Sequence, residues 1–269
     1  MPILKLEHIT PLILTYNEQP NLLDTLQRLD WASQILLVDS FSTDDTLEIA
    51  ARFPQVRVVQ RTFDHFAEQC NFGLLHIESP WVLSMDADYK LEPAFARELL
   101  TLEAEHSGYQ AAFCYAIYGH RLRATLYPPR TVLYRADKAC YHRDGHAHRV
   151  QIAGTIGKLS TKIVHDDCKP LSKWCESQIR YAQSEACKLT TSGATQLCWK
   201  DRIRSYIVFS PILTLFYCLI IKRLILDGWP GVFYTFQRVF AELLLSLALL
   251  DVKLRKRLSI RQDEKPKLS

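Results

Sequence analysis

Two aspartates separated by one residue follow an apolar run in this sequence. Residues 81–85 read Trp-Val-Leu-Ser-Met, and Asp86 and Asp88 come directly after them. Residues two apart on a strand face the same side of a sheet. Two carboxylates on one side repel each other unless a cation lies between them or one keeps its proton. Mg²⁺ and Mn²⁺ suit such oxygen ligands and leave coordination positions open for phosphates. A solvated turn is the commoner context for a lone Asp-x-Asp, but the apolar run before it favours a metal–diphosphate site.

The elements that would position this pair alternate along residues 9–85. Apolar runs predict four strands, at residues 9–14, 34–38, 56–60 and 81–85. Helical patterns lie between them, at residues 21–29, 42–53 and 66–77. This order predicts a parallel sheet with right-handed crossovers, which binds ligands at the carboxyl ends of its strands. The segment 15–18, Asp39 and the Asp86–Asp88 pair all follow such strand ends.

The pattern changes after a charged helix predicted at residues 93–105. Short β-rich pieces follow, at residues 111–118, 131–134 and 163–165. Loops rich in His, Arg and Gly separate them, which favours a mixed sheet with a long active-site loop. Residues 171–189 then carry apolar side chains at helical spacing.

The C-terminal third contains two apolar stretches. Residues 205–221 carry no charge, and residues 231–250 include Gln237, Arg238 and Glu242. A spanning helix needs about 20 apolar residues, with about 17 as the short limit. Basic residues lie at both ends of the first stretch and after the second, which opposes a spanning hairpin by the positive-inside tendency. Helices lying in the membrane interface are favoured. Spanning helices and a buried subdomain or dimer surface remain open.

Charge is unevenly distributed along the 269 residues. The net charge is +4, but residues 253–269 alone carry seven basic and two acidic side chains, so the rest of the chain sums to about −1. This argues against nucleic-acid binding by the main domain, and it fits a tail that lies on anionic lipid or is simply solvated. The predicted organisation is a catalytic domain at 1–198, apolar membrane-interfacial helices at 199–252 and a basic tail at 253–269.

Cysteine usage predicts a reducing compartment. The chain has eight cysteines but no Cys-x-x-Cys pair and no cluster with zinc spacing. The N-terminus lacks the basic region and the long apolar core of a signal peptide. We therefore expect free thiols that act as small buried apolar groups in a cytoplasmic protein.

Three motifs in order resemble the family-2 glycosyltransferases with the GT-A fold. They are residues 11–18, residues 37–46 and Asp86-Ala87-Asp88, and residues 38–46 are similar to the family pattern VD.gStD.T. The resemblance covers roughly residues 8–190, and within the family the chain is most similar to lipopolysaccharide-core biosynthesis enzymes. It implies an α/β, Rossmann-like GT-A fold with a mixed, mostly parallel sheet flanked by helices, extended here by C-terminal membrane-associated helices.

The resemblance also implies roles for individual residues. Those matching the nucleotide-binding positions are Thr15, Glu18, Asp39, Gln69, Asn71 and Asp86. Asp39 would accept hydrogen bonds from the base or ribose, with a turn acid as the alternative. Cys70 replaces the arginine usual between Gln69 and Asn71. Asp88 would bind the metal, with His165 as a second ligand, and an imidazole ligand favours Mn²⁺ over Mg²⁺.

The catalytic base is predicted on the loop before His165. An inverting transferase needs a group that takes the proton of the acceptor hydroxyl. Relatives often use a His-Glu or Glu-Asp pair, but here Arg149 follows His148. The candidates are therefore Asp144, the nearest carboxylate, and the histidines His146 and His148. A cationic phosphate clamp formed with Arg143 is a further role for this loop.

The expected function is inverting transfer of a sugar from a nucleotide-diphosphate donor, a UDP-sugar being favoured, with Mn²⁺ or Mg²⁺ as cofactor. The acceptor would be a lipid-linked or lipopolysaccharide-type cell-envelope glycan on the cytoplasmic side of the inner membrane, with the protein peripheral or monotopic. A polyprenyl-phosphate glycosyltransferase and a non-catalytic nucleotide-sugar-binding protein remain alternatives.

Overall fold

The chain forms two compact units, Met1–Lys169 and Pro170–Ser269, in a computed structural model. The structure describes the backbone of residues 3–144, 147–191 and 209–263. Side chains are described in the same ranges except at residues 143–149, 191, 257 and 259–263. The predicted domain boundaries at residues 198 and 252 stay predictions.

Strands and helices alternate in the first part of unit one, as the sequence predicts. Its strands are β1 Ile9–Thr15, β2 Ile35–Asp39, β3 Val56–Gln60, β4 Trp81–Asp86, β5 Tyr89–Lys90, β6 Gly108–Ala111, β7 Phe113–Ile117, β8 His120–Arg121, β9 Arg130–Arg135, β10 Ala139–Asp144, β11 Ala147–Ile152, β12 Ile156–Lys158 and β13 Ile163–His165. Its helices are α1 Gln19–Gln27, α2 Thr46–Ala50, α3 Phe66–Leu74 and α4 Pro93–Thr101.

A seven-stranded sheet in the order β12-β6-β9-β4-β1-β2-β3 forms the centre of this unit. β1 pairs in parallel with both β2 and β4, and β2 pairs in parallel with β3. Only β9 runs antiparallel to its neighbours, β4 and β6. Ile13, Leu37 and Leu83, one from each central strand, are fully buried because helices cover the sheet. The predicted α/β class with a mixed, mostly parallel sheet is confirmed.

A second sheet, in the order β5-β13-β7-β8, lies beyond the end of β4. The sequence predicts a β-rich piece at residues 111–118, which contains β7, and the structure divides it from β6, a strand that the sequence pattern does not predict. The division occurs at Ala112, whose carbonyl accepts a hydrogen bond from the Ile163 amide at the start of β13. The chain passes there from the first sheet to the second, so one apolar run serves both sheets.

Helix α2 is shorter than the predicted helix at residues 42–53. The backbone amide of Ser42 bonds the Asp39 carboxylate, and the amide of Thr43 bonds the Asn17 side chain. These contacts hold residues 42–43 in a loop, so the helix begins only at Thr46. Capping-type residues compete with the helix here because their side chains offer the backbone other partners.

Unit two is helical in its described parts. Its helices are α5 Leu171–Thr191, α6 Phe209–Phe216, which continues as a π-helical turn Tyr217–Ile221, and α7 Gly228–Asp263 after a 3₁₀ turn Leu224–Asp227. Ala182, Ala186 and Leu189 of α5 pack with Leu245 and Leu249 of α7. The predicted apolar stretch 205–221 is described only from residue 209.

One helical stretch, Leu224–Lys256, is long and apolar enough to cross a membrane by length and composition alone. Little of its most apolar part is buried within the chain. Phe236, Phe240, Leu243, Leu247 and Leu250 of α7 are exposed, at intervals of three and four residues. That spacing places them along one side of the helix.

Candidate functional site

Asp39 ends β2 as a fully buried carboxylate. Its Oδ1 accepts hydrogen bonds from the hydroxyls of Thr15, at 3.0 Å, and Ser42, at 2.5 Å. Its Oδ2 accepts from the Ser42 amide, at 2.9 Å, and the Gln60 amide group, at 3.1 Å. Asp39 therefore organises the turn after β2 in this structure, and its predicted role at the base or ribose stays a prediction. Thr15 and Asp39 come together as predicted, on paired positions of β1 and β2.

The loops after β1 and β2 are joined by backbone-to-side-chain hydrogen bonds. The amide of Asn17 donates to Ser42 Oγ at 2.9 Å, and the amide of Thr43 donates to Asn17 Oδ1 at 2.8 Å. The amide of Glu18 donates to Thr46 Oγ1 at 2.8 Å. Asn17 and Phe41 both have a left-handed backbone, with φ of 54° and 60°. The two loops thus form one rigid edge.

Gln69 and Asn71 lie on α3 and support this edge from within. Gln69 is buried and donates to Ser40 Oγ at 2.9 Å and to the Arg61 carbonyl at 3.0 Å. Asn71 bonds both the amide and the carbonyl of Tyr141, at 2.9 and 3.0 Å. Both side chains are committed to neighbouring segments, and their predicted role at the nucleotide stays a prediction.

Asp88 and His165 face each other across the β5–β13 pair. Asp88 lies in the turn between β4 and β5, one residue before Tyr89, which pairs with His165 of β13. The distance from His165 Nε2 to Asp88 Oδ2 is 3.0 Å. Asp88 Oδ1 and His165 Nδ1 are buried, and neither has a hydrogen-bond partner. The structure therefore brings the predicted pair together, and each of the two side chains keeps one polar atom without a hydrogen-bond partner.

Burial and mutual attraction set the ionisation of this pair. Burial disfavours the charged carboxylate, but His165 and Lys169 together outweigh it, so the pKa of Asp88 lies below its usual value. Burial likewise disfavours the charged imidazole, but Asp88, Asp86 and Asp167 together outweigh it and raise the pKa of His165. A partly buried carboxylate that stays ionised is a suitable ligand for a divalent cation.

Three tyrosine rings surround the imidazole. The ring centroids of Tyr115, Tyr127 and Tyr89 lie 4.7, 4.9 and 5.4 Å from that of His165. The hydroxyls of Tyr89 and Tyr127 are 2.6 Å apart. Burial raises the pKa of both phenols, so they remain neutral hydrogen-bond donors at neutral pH. The rings fix the imidazole plane and keep water from one side of the site.

Arg130, at the start of β9, brings a cation to the two aspartates. Its guanidinium carbon lies 4.7 Å from the centroid of the Tyr127 ring, in a cation–π contact. Its charge interacts with the carboxylates of Asp86 and Asp88. No hydrogen bond joins the guanidinium to any residue that the structure describes, so its N–H groups are available to an anion.

Glu18 forms the other wall of this region. Its carboxylate pairs with Lys169 and accepts a hydrogen bond from Asn21 at 3.0 Å. Burial, opposed by Lys169 and assisted by the charge of Asp88, raises the pKa of Glu18 to about 7. Lys169 thereby ties the β1 loop to the segment that follows His165.

The residues present fit a divalent metal ion whose coordination shell is completed partly by a bound small molecule. Within the described residues, no group of three or more His, Cys, Asp and Glu side chains is arranged to hold an ion. Asp88 and His165 provide two ligands, and their 3.0 Å separation matches the roughly 3 Å expected between adjacent ligands of an octahedral ion with bonds of about 2.1 Å. The unpaired Asp88 Oδ1 adds to this fit. Mg²⁺ and Mn²⁺ commonly complete such shells with phosphate oxygens and water.

The three candidates for the catalytic base fall outside what the structure describes in full. His146 is not described, and of Asp144 and His148 only the backbone is, in β10 and β11. Their assignment stays a prediction. In the β10–β11 hairpin Arg143 pairs with His148, and Asp144 pairs with Ala147.

Sequence reasoning missed the aromatic enclosure and Arg130. Tyr127 and Arg130 bracket Pro128-Pro129, in a loop that carries no recognisable motif. An aromatic residue and an arginine on either side of a rigid Pro-Pro pair, just before a predicted strand, were the available signal. The sequence also did not indicate the Glu18–Lys169 pair, because 151 residues separate its members.

Comparison with known proteins identifies a family. The family model described as "Glycosyl transferase family 2" matches residues 12–157, which hold part of β1, all of β2 to β4 and the Asp86–Asp88 pair. The matched segment is more than half of the chain.

Two curated relatives match a shorter part. The lipopolysaccharide core biosynthesis glycosyltransferase LpsC of Rhizobium meliloti is 28% identical over 111 residues, 39% of this chain and 41% of that protein. An uncharacterized glycosyltransferase of Rickettsia conorii is 29% identical over 102 residues, 38% of this chain and 36% of that protein. The chain thus spans about two fifths of the length of the relatives it matches.

Solved structures with a related arrangement include S. aureus TarS 1-349, with a TM-score of 0.45 and 15% identity over 96% of this chain and 93% of that chain. Glucosyl-3-phosphoglycerate synthase from Mycobacterium tuberculosis, in complex with Mn²⁺, UDP and phosphoglyceric acid, has a TM-score of 0.44 and 16% identity over 68% of this chain and 77% of that chain.

Proposed function

The chain belongs to glycosyl transferase family 2, and on that premise we propose that it transfers a sugar, with inversion, from a nucleoside-diphosphate donor to a lipid-linked or lipopolysaccharide-type acceptor. The observation that carries this proposal is the partly buried Asp88–His165 pair, with its buried and unpaired carboxylate oxygen. A UDP-sugar is the donor to be tested first.

The residues around the pair support a diphosphate site. Asp88 and His165 would hold Mn²⁺ or Mg²⁺, which, when bound, neutralises charge on the departing diphosphate. Arg130 offers unpaired N–H groups on the same side of the two aspartates, and a guanidinium can bond phosphate oxygens in pairs. The hydrogen-bonded edge formed by residues 15–18 and 39–46 supports binding of the nucleoside at that place. Asp86 would contact the ribose or the sugar of the donor.

The acceptor class rests on similarity rather than on the site. The relative LpsC is named for lipopolysaccharide core biosynthesis, and its match includes about two fifths of each chain. The alternative is transfer to a polyprenyl phosphate. That acceptor is already anionic and needs little help from a base, which fits Arg149 in place of the expected glutamate.

A thermal-shift screen tests the donor class. The full chain in mild detergent is heated with UDP, GDP, CMP or dTDP, each with Mn²⁺, Mg²⁺ or EDTA. A ligand that binds only the folded state raises the melting temperature by mass action. We expect a shift for one nucleotide that disappears in EDTA. No shift with any nucleotide would contradict the proposal and favour a non-catalytic protein.

A sugar-transfer assay then distinguishes the two acceptor classes. With the donor sugar identified, radiolabelled sugar is offered with a polyprenyl phosphate or with a lipopolysaccharide-core acceptor. Label in the core acceptor alone supports the main proposal, and label in the polyprenyl phosphate supports the alternative.

We further propose that α6 and α7 lie in the cytoplasmic face of the inner membrane as a peripheral or monotopic anchor. The exposed leucines and phenylalanines of α7 form an apolar side, and exposed Arg223, Lys253 and Arg255 lie near the two ends of the apolar stretch Leu224–Lys256. Within the stretch Leu224–Lys256, the α-helical residues 228–256 would be about 44 Å long, well beyond the roughly 30 Å of a hydrocarbon core, which favours an in-plane arrangement. Basic groups at both ends of such a helix can reach one anionic headgroup layer.

Vesicle flotation tests this anchor. We expect the full chain to float with vesicles containing phosphatidylglycerol, and the double variant Leu243→Gln, Leu247→Gln to stay at the bottom of the gradient. The matched control is Leu75→Gln, which changes an exposed leucine of unit one. Equal flotation of all three proteins would exclude α7 as the anchor.

A further inference from the structure

Phe41 has a backbone conformation that its side chain disfavours. Its φ is 60°, in the left-handed region, where a bulky L-residue is a genuine outlier. The family pattern that residues 38–46 resemble has glycine at this position, which would adopt the same φ without strain. Such strain persists only where the surroundings fix it, and it concentrates at sites of function.

The surrounding contacts hold this conformation firmly. The Asp39 carboxylate bonds both the amide and the hydroxyl of Ser42, and the Ser40 amide bonds the Thr15 carbonyl at 2.9 Å. Phe41 lies between these fixed points. The strained φ therefore belongs to the folded loop itself, and its ring is directed by a rigid backbone.

The phenyl ring does not contribute to the core. It is 51% exposed, and no aromatic or cationic partner contacts it among the described residues. A side chain that strains the backbone without packing gives the folded protein no evident stability. Its position at the carboxyl edge of the parallel sheet is where ligands of such sheets bind.

A second exposed aromatic residue lies on the neighbouring loop. Tyr16, 54% exposed, follows Thr15, which is opposite Asp39 in the parallel register of β1 and β2. Adjacent strands are about 4.8 Å apart, so both loops carry an aromatic side chain at the same short stretch of the edge. The π-face of a nucleobase stacks on such rings whatever the base, whereas a phosphate or a sugar hydroxyl gains little from them.

We propose that Phe41 is a stacking residue for the nucleobase of the donor. The inference rests on the proposed function, because it assumes a nucleoside-diphosphate ligand, and it adds a residue that the motif alone does not assign. The ring supplies affinity for the nucleoside half of the donor, while the diphosphate half is bound some distance away, beside Asp88 and Arg130.

The test compares the binding affinity of a nucleoside diphosphate with that of inorganic pyrophosphate, which lacks the nucleoside. Binding of UDP and of inorganic pyrophosphate, each with Mn²⁺, is measured by calorimetry for the wild type and for Phe41→Asn and Phe41→Trp. Asparagine accepts a left-handed backbone and lacks the ring, whereas tryptophan keeps an aromatic face. If GDP, CDP or dTDP binds the wild type better than UDP does, that nucleotide replaces UDP.

The ratio of the nucleotide affinity to the pyrophosphate affinity decides the outcome. For Phe41→Asn we expect this ratio to fall about 5- to 150-fold, the range of base–aromatic stacking, with the ratio for Phe41→Trp near the wild-type value. The melting temperature of Phe41→Asn should equal or exceed that of the wild type, because backbone strain is relieved. An unchanged ratio in Phe41→Asn would overturn the assignment and leave the ring to an acceptor or to another protein. A wild type that binds no nucleoside diphosphate would overturn the proposed function as well, so the two failures are distinguishable.

Discussion

The His165 imidazole lies 3.0 Å from the Asp88 carboxylate, although 77 residues separate them in the sequence. The contact exists because β13 pairs with β5, which begins one residue after Asp88.

We expect Asp88→Asn to reduce Mn²⁺ affinity at least tenfold, since the amide keeps the shape of the side chain but loses its charge. His165→Asn should weaken binding less and should shift preference from Mn²⁺ towards Mg²⁺, because an oxygen replaces the ring nitrogen. Manganese titration by electron paramagnetic resonance measures both, and Asp24→Asn is the control. Equal Mn²⁺ affinity in all variants would remove this pair as the metal site.

Arg130 affects the metal ion and the nucleotide in opposite directions. Its positive charge faces Asp86 and Asp88, so Arg130→Ala should bind Mn²⁺ alone as well as or better than the wild type. The same variant should lose about 10-fold or more in affinity for UDP with Mn²⁺, because hydrogen bonds to charged groups contribute about 1.5–3 kcal/mol. Arg135→Ala, at an exposed arginine paired with Asp137, is the matched control. A loss of both affinities together would mean that Arg130 supports the local structure rather than the anion.

Glu18 makes stability depend on pH. Its folded-state pKa is about 7, against 4.5 in its reference state, because burial disfavours the carboxylate. The folded state therefore holds a proton that the unfolded chain releases, and stability falls as pH rises from about 4.5 to 7. The expected loss is on the order of 3 kcal/mol, and it is complete above that window. Glu18→Gln should remove this dependence, so its advantage over the wild type should grow between pH 5 and pH 8. Urea unfolding at both pH values, without metal, checks the sign, and parallel pH profiles for the two proteins would contradict it.

Lys90 neutralises a carboxylate that is otherwise buried without a counter-ion. Its Nζ lies 3.1 Å from Asp166, whose side chain is 3% exposed, and 3.2 Å from the more exposed Asp24. Removing one partner of a buried pair leaves an uncompensated charge, so Lys90→Met should lower the free energy of unfolding by about 3–5 kcal/mol. Asp24→Asn removes only the outer partner and should cost less than about 1 kcal/mol. Denaturant unfolding measures both, and similar losses in the two variants would show that the Asp166 pair is not the dominant one.

Gly73 sets the distance between α3 and the central sheet. A Cβ at this position would lie 2.5 Å from Leu12 Cδ1 and 3.1 Å from Val38 Cγ2, both on buried strands. Gly73→Ala should therefore destabilise the fold by about 1–3 kcal/mol through overpacking. The second change Leu12→Val should recover part of that loss, because it removes a methylene at the point of contact. Additive effects in the double variant would mean that the two sites do not meet.

Most strands of the parallel part of the first sheet are predicted from the sequence. The predicted range for β3 coincides with the observed one, and β1, β2 and β4 differ by one residue at one or both ends. In the second sheet, the predicted range for β13 also coincides with the observed one. Continuous apolar runs between turn residues make buried parallel strands easy to recognise. Their order also predicts that Thr15, Asp39 and Asp86 lie at one edge, as the structure finds.

The side-chain contacts that complete the site are harder to predict from the sequence, because they join segments that are far apart along the chain. Tyr89, Tyr115 and Tyr127 surround His165 from different parts of the chain, and no spacing rule relates them. The Glu18–Lys169 pair depends on where β13 ends, which follows from the second sheet rather than from local propensity. The shortened α2 shows the reverse effect, since tertiary partners for residues 42–43 override a helix-start signal.

The hydrogen bonds between Asn17, Ser42 and Thr43 have a consequence for binding kinetics. They join the two loops without a ligand, so we expect these loops to lose little ordering entropy when the donor arrives. The association rate of a nucleotide should then be limited by diffusional encounter, with a single kinetic phase and a weak temperature dependence. Differences in affinity between nucleotides should appear mainly in their residence times.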